Sequence, residues 1–252
     1  MMKALITGAS SGIGREIARQ LSAMGIDVIL VARRMTRLQE LKEELEGNVQ
    51  IICMDLRDAL SCRMLYERLR EEDIDILVNN AGFGVYGAFD ETDLDKELAM
   101  IDVNVRAVHI LTKLFLRDFI ARDYGYILNV ASIAGYLPGP LMAGYYASKA
   151  YVLRLSEAIY GELRRKKSNV HITALCPGPV QTEFNQVANV RFRIKGKKAS
   201  DVAYQAINGM FGERRVVIPG MLMKCARLLT RVTPTRLQLR TSYFIQHRKT
   251  KQ

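Results

Sequence analysis

Short runs of aliphatic and β-branched residues alternate with longer amphipathic stretches through most of this chain. K-A-L-I-T at 3–7 reads as a strand, and Ile13, Ile17, Ala18, Leu21 and Met24 then recur at helical spacing on one face. D-V-I-L-V-A at 27–32 opens a second unit, with a helix over about 36–46. V-Q-I-I-C-M at 49–54 opens a third, with a helix near 59–71, and I-D-I-L-V-N at 74–79 a fourth. Helical material follows at 93–122, then a strand at 126–131, a long helix at 145–166, and strands at 170–175 and 215–219. Parallel strands need crossovers of about a dozen residues or more, and these spacings supply them. The pattern predicts an α/β fold with a doubly wound sheet of about seven parallel strands, helices on both faces, in a single domain over 1–252.

Two segments depart from the alternation. Residues 124–148 carry no charge, but Gly125, Gly135, Pro138, Gly139, Pro140 and Gly144 interrupt them, so a buried strand and a loop are expected instead of a membrane span. After P-G-P-V at 177–180 strand signals fade, and 180–198 is expected to form a flap outside the sheet. M-L-M-K-C-A-R-L-L at 221–229 and the residues after Pro234 predict a basic helical extension over 220–252.

Composition adds location to charge. The net +11 is concentrated at the end: from Arg214 onward there are ten Lys or Arg and no Asp or Glu, and R-F-R-I-K-G-K-K covers 191–198. Such a surface attracts an anionic substrate, an acidic carrier protein or an anionic bilayer. It carries no zinc-finger, KH or RRM pattern and no regular aromatic interleaving, so nucleic acid is not the expected partner. Cys53, Cys62, Cys176 and Cys225 show neither paired spacing nor a neighbouring His cluster. They read as reduced, partly buried thiols, with no metal site. The first residues show no secretory pattern, and a cytoplasmic location is expected.

The chemistry begins at T-G-A-S-S-G-I-G, residues 7–14, between the first strand and the first helix. Glycine admits positive φ and lets backbone approach a ligand closely. The first turn of the helix behind it offers unpaired N–H groups to a pyrophosphate. The spacing is not G-x-G-x-x-G, and the Lys of an ATP-hydrolysing phosphate loop is missing. Y-Y-A-S-K places Tyr145 and Lys149 four residues apart on one helix face. A neighbouring ammonium lowers a phenol's pKa from near 10, which would fit Tyr145 for acid–base work.

T-G-A-S-S-G-I-G resembles the T-G-x-x-x-G-x-G loop of short-chain dehydrogenases and reductases, and the resemblance extends over nearly the whole chain. N-N-A-G at 79–82, D-L at 55–56 and P-G-P-V-Q-T at 177–182 match that family's further motifs in order. It implies a Rossmann-type fold and four catalytic residues: Asn104, Ser132, Tyr145 and Lys149. The cofactor would lie against Gly8, Ser10, Ser11, Gly12, Ile13 and Gly14. Asp55 and Leu56 would contact its adenine, and Asn80, Ala81 and Gly82 would pass beside it. Pro177, Gly178, Val180 and Thr182 would flank the nicotinamide, with Tyr145 and Lys149 also in contact. By the same resemblance Lys149 touches the nicotinamide ribose, and Asn104 holds a water linked to it.

The second strand selects the dinucleotide. Ala32 stands where an NAD site wants a carboxylate, and Arg33 and Arg34 follow at once. Arg33 is expected to fork onto a 2′-phosphate, with Arg34 or Arg37 adding field strength, so the expected cofactor is NADP(H). The L-V-A-R-R-x-x-R-L pattern is similar to that of NADPH-dependent ketoacyl- and hydroxysteroid-type reductases. This implies reduction of a bulky or apolar ketone to a secondary alcohol. A 3-oxoacyl thioester, a small diketone, or NADPH sensing without turnover remain open on these residues. The resemblance also implies a homodimer or homotetramer built on the two long helices.

Overall fold

The computed structural model describes residues 2–184 and 196–247. Val187 of the expected flap and most of its basic cluster lie outside the described residues. Elements are numbered here along the described chain. The main sheet holds β1 (Lys3–Thr7), β2 (Asp27–Ala32), β3 (Val49–Cys53), β4 (Ile76–Asn79), β5 (Gly125–Val130), β6 (Val170–Leu175) and β9 (Val216–Val217). All pairings are parallel, and the order is β3-β2-β1-β4-β5-β6-β9. The expected strand at 215–219 shortens to two residues at the sheet edge.

Strand alternation divides the core between two faces. Ala4 and Ile6 of β1 and Val28 and Leu30 of β2 face Ile17 and Leu21 of α1 (Gly12–Ala23) and Val202 and Ala206 of α7 (Ala199–Phe211). Leu5, Ile29 and Val31 face the other way, with Leu65 of α3 (Ala59–Leu69) and Phe115 and Phe119 of α5 (Val108–Ala121). This is the two-residue period of a strand buried on both sides. A second helix, α2 (Met35–Glu44), inserts Leu38 and Leu41 into the first face.

Three features place the site. The chain runs from β1 to one side through β2 and β3 and then crosses to β4, so the topological switch lies between β1 and β4. Ligands of such sheets bind in the crevice beyond the strand ends there. Next, α4 (Leu94–Ile101) continues into α5 through a π-helical turn, Asp102–Ala107, that carries Asn104. Finally α6 (Ala143–Arg165) starts beside the strand ends and carries Tyr145 and Lys149 in its opening turns. The short strands β7 (Val180–Gln181) and β8 (Lys197–Lys198) pair in parallel outside the main sheet, so the expected flap is pinned at both ends. Helices α8 (Met221–Val232) and α9 (Thr235–His247) form the expected extension.

Candidate active site

The glycine loop closes on β4 through one hydroxyl. Thr7 Oγ1 donates to the Val78 carbonyl at 3.2 Å and accepts from the N–H groups of Asn80 at 3.0 Å and Ala81 at 3.1 Å. Asn80 Nδ2 donates to the carbonyls of Thr7 and Gly8, both at 3.1 Å. Gly8 has φ +66°, and a Cβ there would stand 2.8 Å from Ala81 Cα. Gly12 has φ +57°, and its missing Cβ leaves room for Thr182. Ser11 caps α1 without a side-chain hydrogen bond. A tight glycine turn opening onto a helix N-terminus at the switch point is the cradle a pyrophosphate needs.

At the end of β2, Arg34 reaches across this loop. It donates to Ser10 Oγ at 3.1 Å and pairs with Glu183 Oε2 at 2.8 Å, and Arg37 stands 3.9 Å from Glu183 Oε1. The hydrogen bond from Arg34, helped by Ser11 and Arg37 against partial burial, holds the Glu183 carboxyl below its ordinary range. The guanidinium of Arg33 has no hydrogen-bond or ion-pair partner among the described residues and is exposed. The structure thus pairs Arg34 with Ser10 and Glu183 and leaves the guanidinium of Arg33, the residue expected on the 2′-phosphate, exposed. Asp55 beside them is raised by burial but drawn lower overall by Arg57, which bonds it at 2.8 Å through Nε. Leu56 is buried next to it.

The four catalytic candidates converge. Asn104 is fully buried; its Nδ2 donates to the Phe83 carbonyl at 2.9 Å and Ser148 Oγ at 3.1 Å, and its Oδ1 accepts from the Phe83 N–H at 3.1 Å. Lys149, 5% exposed, donates to the Val130 carbonyl at 2.9 Å and lies 5.9 Å from the Tyr145 ring centroid. Gly82 runs between them: a Cβ there would stand 2.7 Å from Asn104 Oδ1 and 3.3 Å from Lys149 Nζ. Ser132 caps the short 3₁₀ turn Ile133–Tyr136, accepts from the Ala134 N–H at 3.1 Å and donates to the Pro177 carbonyl at 3.4 Å, and it stands close enough to the Tyr145 phenol to favour its ionised form.

Electrostatics in the protein alone opposes the lowering expected for Tyr145. Burial pushes the Tyr145 phenol well above its ordinary 10; the Ser132 hydroxyl pulls it back only in part, and Tyr146 adds to the rise. Burial likewise lowers the Lys149 ammonium to about 8. In the protein alone Tyr145 is a firmly neutral acid. Of the cysteines, Cys62 and Cys176 are buried as expected, whereas Cys53 and Cys225 are exposed. The described residues contain no cluster fit for a metal.

Known proteins place this geometry. The short chain dehydrogenase family matches residues 2–191. The chain belongs to the short-chain dehydrogenase family. It is 37% identical over 203 residues to the NADP-dependent 3-hydroxy acid dehydrogenase of Escherichia coli K12, covering 79% of each chain. A short-chain dehydrogenase from Sphingobium yanoikuyae in complex with NADPH superposes with a TM-score of 0.81 at 29% identity, covering 93% of this chain and 97% of that one. A short-chain dehydrogenase/reductase from Burkholderia phymatum in complex with NAD superposes at 0.82 and 26% identity, covering 90% and 92%. The protein is thus an oxidoreductase of that family.

Several further groups shape this short-chain dehydrogenase site. Asn79 Nδ2 donates to Thr112 Oγ1 at 3.0 Å and to Asn129 Oδ1 at 2.9 Å, and Asn129 Nδ2 donates to Ser156 Oγ at 3.0 Å. This buried polar chain ties β4, β5, α5 and α6 together just below the reacting centre. The polar residue inside the apolar run Y-I-L-N-V-A was its visible trace. Phe184 packs on Tyr145 with ring centroids 5.2 Å apart, in one cluster with Met142, Tyr86 and Tyr146. From α9, Gln246 donates to the Tyr146 hydroxyl at 2.5 Å, and its carbonyl accepts from Tyr86 at 3.3 Å. Gly178 gives way to Met223 of α8.

Proposed function

We propose that this protein is an NADPH-dependent reductase that converts a bulky, apolar ketone to its secondary alcohol. The observation that carries the reading is the half-buried Tyr145 phenol beside Ser132, with the Lys149 ammonium on the next turn of the same helix, 5.9 Å from the Tyr145 ring centroid. The glycine cradle of Gly8, Ser10, Ser11, Gly12, Ile13 and Gly14 fits a pyrophosphate, and the bare backbone of Ala81 and Gly82 leaves space beside Asn104 and Lys149. Arg33 and Arg34, with Ala32 in place of a carboxylate, favour a 2′-phosphate. Asp55 and Leu56 would border the adenine, and Pro177, Gly178, Val180 and Thr182 the nicotinamide.

The nicotinamide supplies the hydride. Tyr145 donates its proton to the carbonyl oxygen as the carbon is reduced, which a phenol kept neutral by burial is suited to do. Ser132 donates a hydrogen bond to the same oxygen and holds it against the phenol. Lys149 stabilises the phenolate left behind, and Asn104, pinned by both polar groups of Phe83, orients the backbone facing the lysine. Met142, Tyr146 and Phe184 favour an apolar substituent, and the base of the 180–198 flap closes over it.

A 3-oxo acid or its thioester is the second reading, favoured by the 3-hydroxy acid dehydrogenase of Escherichia coli. Self-association into a dimer or tetramer through α5 and α6 and a cytoplasmic location, in keeping with four free cysteines, complete the proposal.

NADPH oxidation measured across steroid ketones, a long-chain 3-oxoacyl thioester, a 3-oxo acid and a small α-diketone tests it. Turnover of one class, lowered about 10²- to 10⁴-fold in Tyr145→Phe, is expected. Tight NADPH binding with no turnover of any would replace catalysis by a sensing role.

A further inference from the structure

Helix α8 has three faces. Met223, Ala226 and Thr230 turn inward, where α8 seats on the 3₁₀ turn and Met223 meets Gly178. Arg227 also turns inward, over the Tyr136 ring at 5.2 Å, and Lys224 and Arg231 form a row beside them at i, i+7. Met221, Cys225, Leu228, Leu229 and Val232 form the third face, and Leu228, Leu229 and Val232 are 65%, 62% and 77% exposed. Helix α9 repeats the arrangement: Gln238, Ser242 and Gln246 turn inward, Arg236 and Arg240 form the basic row, and Leu237, Phe244 and Ile245 are exposed. A core helix buries its apolar stripe and exposes its charges. Here both helices dock by a narrow, mostly small or polar face and leave the apolar stripe in water beside a row of cations.

We propose that α8 and α9 form a docking surface for an anionic lipid bilayer, each helix lying in the plane of the interface. The chemistry of the stripe selects this occupant. Apolar side chains enter the headgroup–acyl boundary while a flanking basic row meets anionic headgroups. No described helix is long and apolar enough to cross the membrane, so the contact is peripheral. A second copy of the chain is disfavoured by charge, because a symmetric contact through α8 and α9 would bring together two sets of five cations, Lys224, Arg227, Arg231, Arg236 and Arg240, with no acid on either helix to offset them. The inward face of α9 bonds Tyr146 through Gln246, and Tyr146 lies against Tyr145 with ring centroids 6.2 Å apart. A bilayer held on α8 and α9 therefore borders the apolar cluster around the phenol, and an amphiphilic carbonyl compound would enter from the lipid side.

The test is flotation of the full-length protein with vesicles of phosphatidylcholine alone or with about one third phosphatidylglycerol, at low and high salt. Binding is expected on the anionic vesicles only, and it should weaken as salt rises. Arg231→Glu should lower the partition coefficient about tenfold or more, since each cation near the surface is worth about fivefold and reversal counts twice. Leu228→Ser/Leu229→Ser should abolish flotation while NADPH binding is kept. No flotation of a protein that binds NADPH normally would overturn the proposal. So would equal binding to neutral vesicles, or concentration-dependent self-association that the leucine variant abolishes. Salt-sensitive binding to an acidic carrier protein without any vesicle binding would assign the surface to that partner. None of these readouts requires the reductase reading to hold.

Discussion

Glu183 stands at the end of β2, beside the basic residues expected to select the cofactor. Its ion pair with Arg34 and its approach to Arg37 use the cations that a 2′-phosphate would recruit. An exposed pair of this kind is worth about 0.2–1 kcal/mol. Glu183→Gln should therefore tighten NADPH binding by about twofold to fivefold and leave NADH unchanged, as read by fluorescence titration. Arg34→Ala and Arg33→Ala should weaken NADPH more than NADH, and equal losses would remove the phosphate role. Lys149 makes a pH-dependent prediction. Burial holds its ammonium near about 8 against an ordinary 10.5, so between those values the unfolded chain binds more protons than the folded one. Lys149 thus costs stability in full below about pH 8, and the cost fades as pH rises toward 10.5. In urea unfolding, Lys149→Met should compare best with the native protein near neutral pH and lose ground above it. A stability difference that stays flat across that window would contradict the burial argument. All of these residues were visible as candidates except Glu183, which sits in a basic neighbourhood of the sequence and is brought to Arg34 only by the chain's return from β6.

At the scale of elements, the π-helical turn between α4 and α5 and the buried amides below it do the positioning. Such turns recur at functional sites because the extra residue redirects a side chain; here it carries Asn104 onto the Phe83 backbone. The chain Asn79–Asn129–Ser156 lies wholly inside the protein. Asn129→Leu would leave Asn79 and Ser156 short of partners, with an expected cost of about 2–3 kcal/mol in chemical denaturation. Helix and strand positions were legible because their periods are local: β2 and β6 fall on the predicted residues, and most other boundaries move by one or two. The π turn was not, since one surplus residue inside a continuous helical pattern leaves the apolar spacing nearly unchanged. The shortening of β9 was equally hidden, because pairing at a sheet edge depends on the neighbour's length.

The whole molecule joins its last helix to its reacting centre. Gln246 and Tyr146 are 100 positions apart in the chain, yet they share a hydrogen bond beside Tyr145. Gln246→Ala should raise KM for bulky ketones more than it lowers kcat, with NADPH affinity kept; a change confined to kcat would detach α9 from the substrate side. The sequence by itself determined the order and number of strands, the doubly wound class, the glycine cradle, the four converging candidates and the basic end. The strands, the cradle and the basic end rest on short-range rules, residue periodicity, the steric freedom of glycine and local composition, whereas the four candidates rest on the resemblance to a known family. Only the tertiary structure decided that Arg34 bonds Ser10 and Glu183, that burial raises the Tyr145 phenol, and that the apolar stripes of α8 and α9 face solvent. Contacts between distant segments follow from sheet order and helix docking, and desolvation belongs to the packed state, so neither is written in any local stretch of the chain.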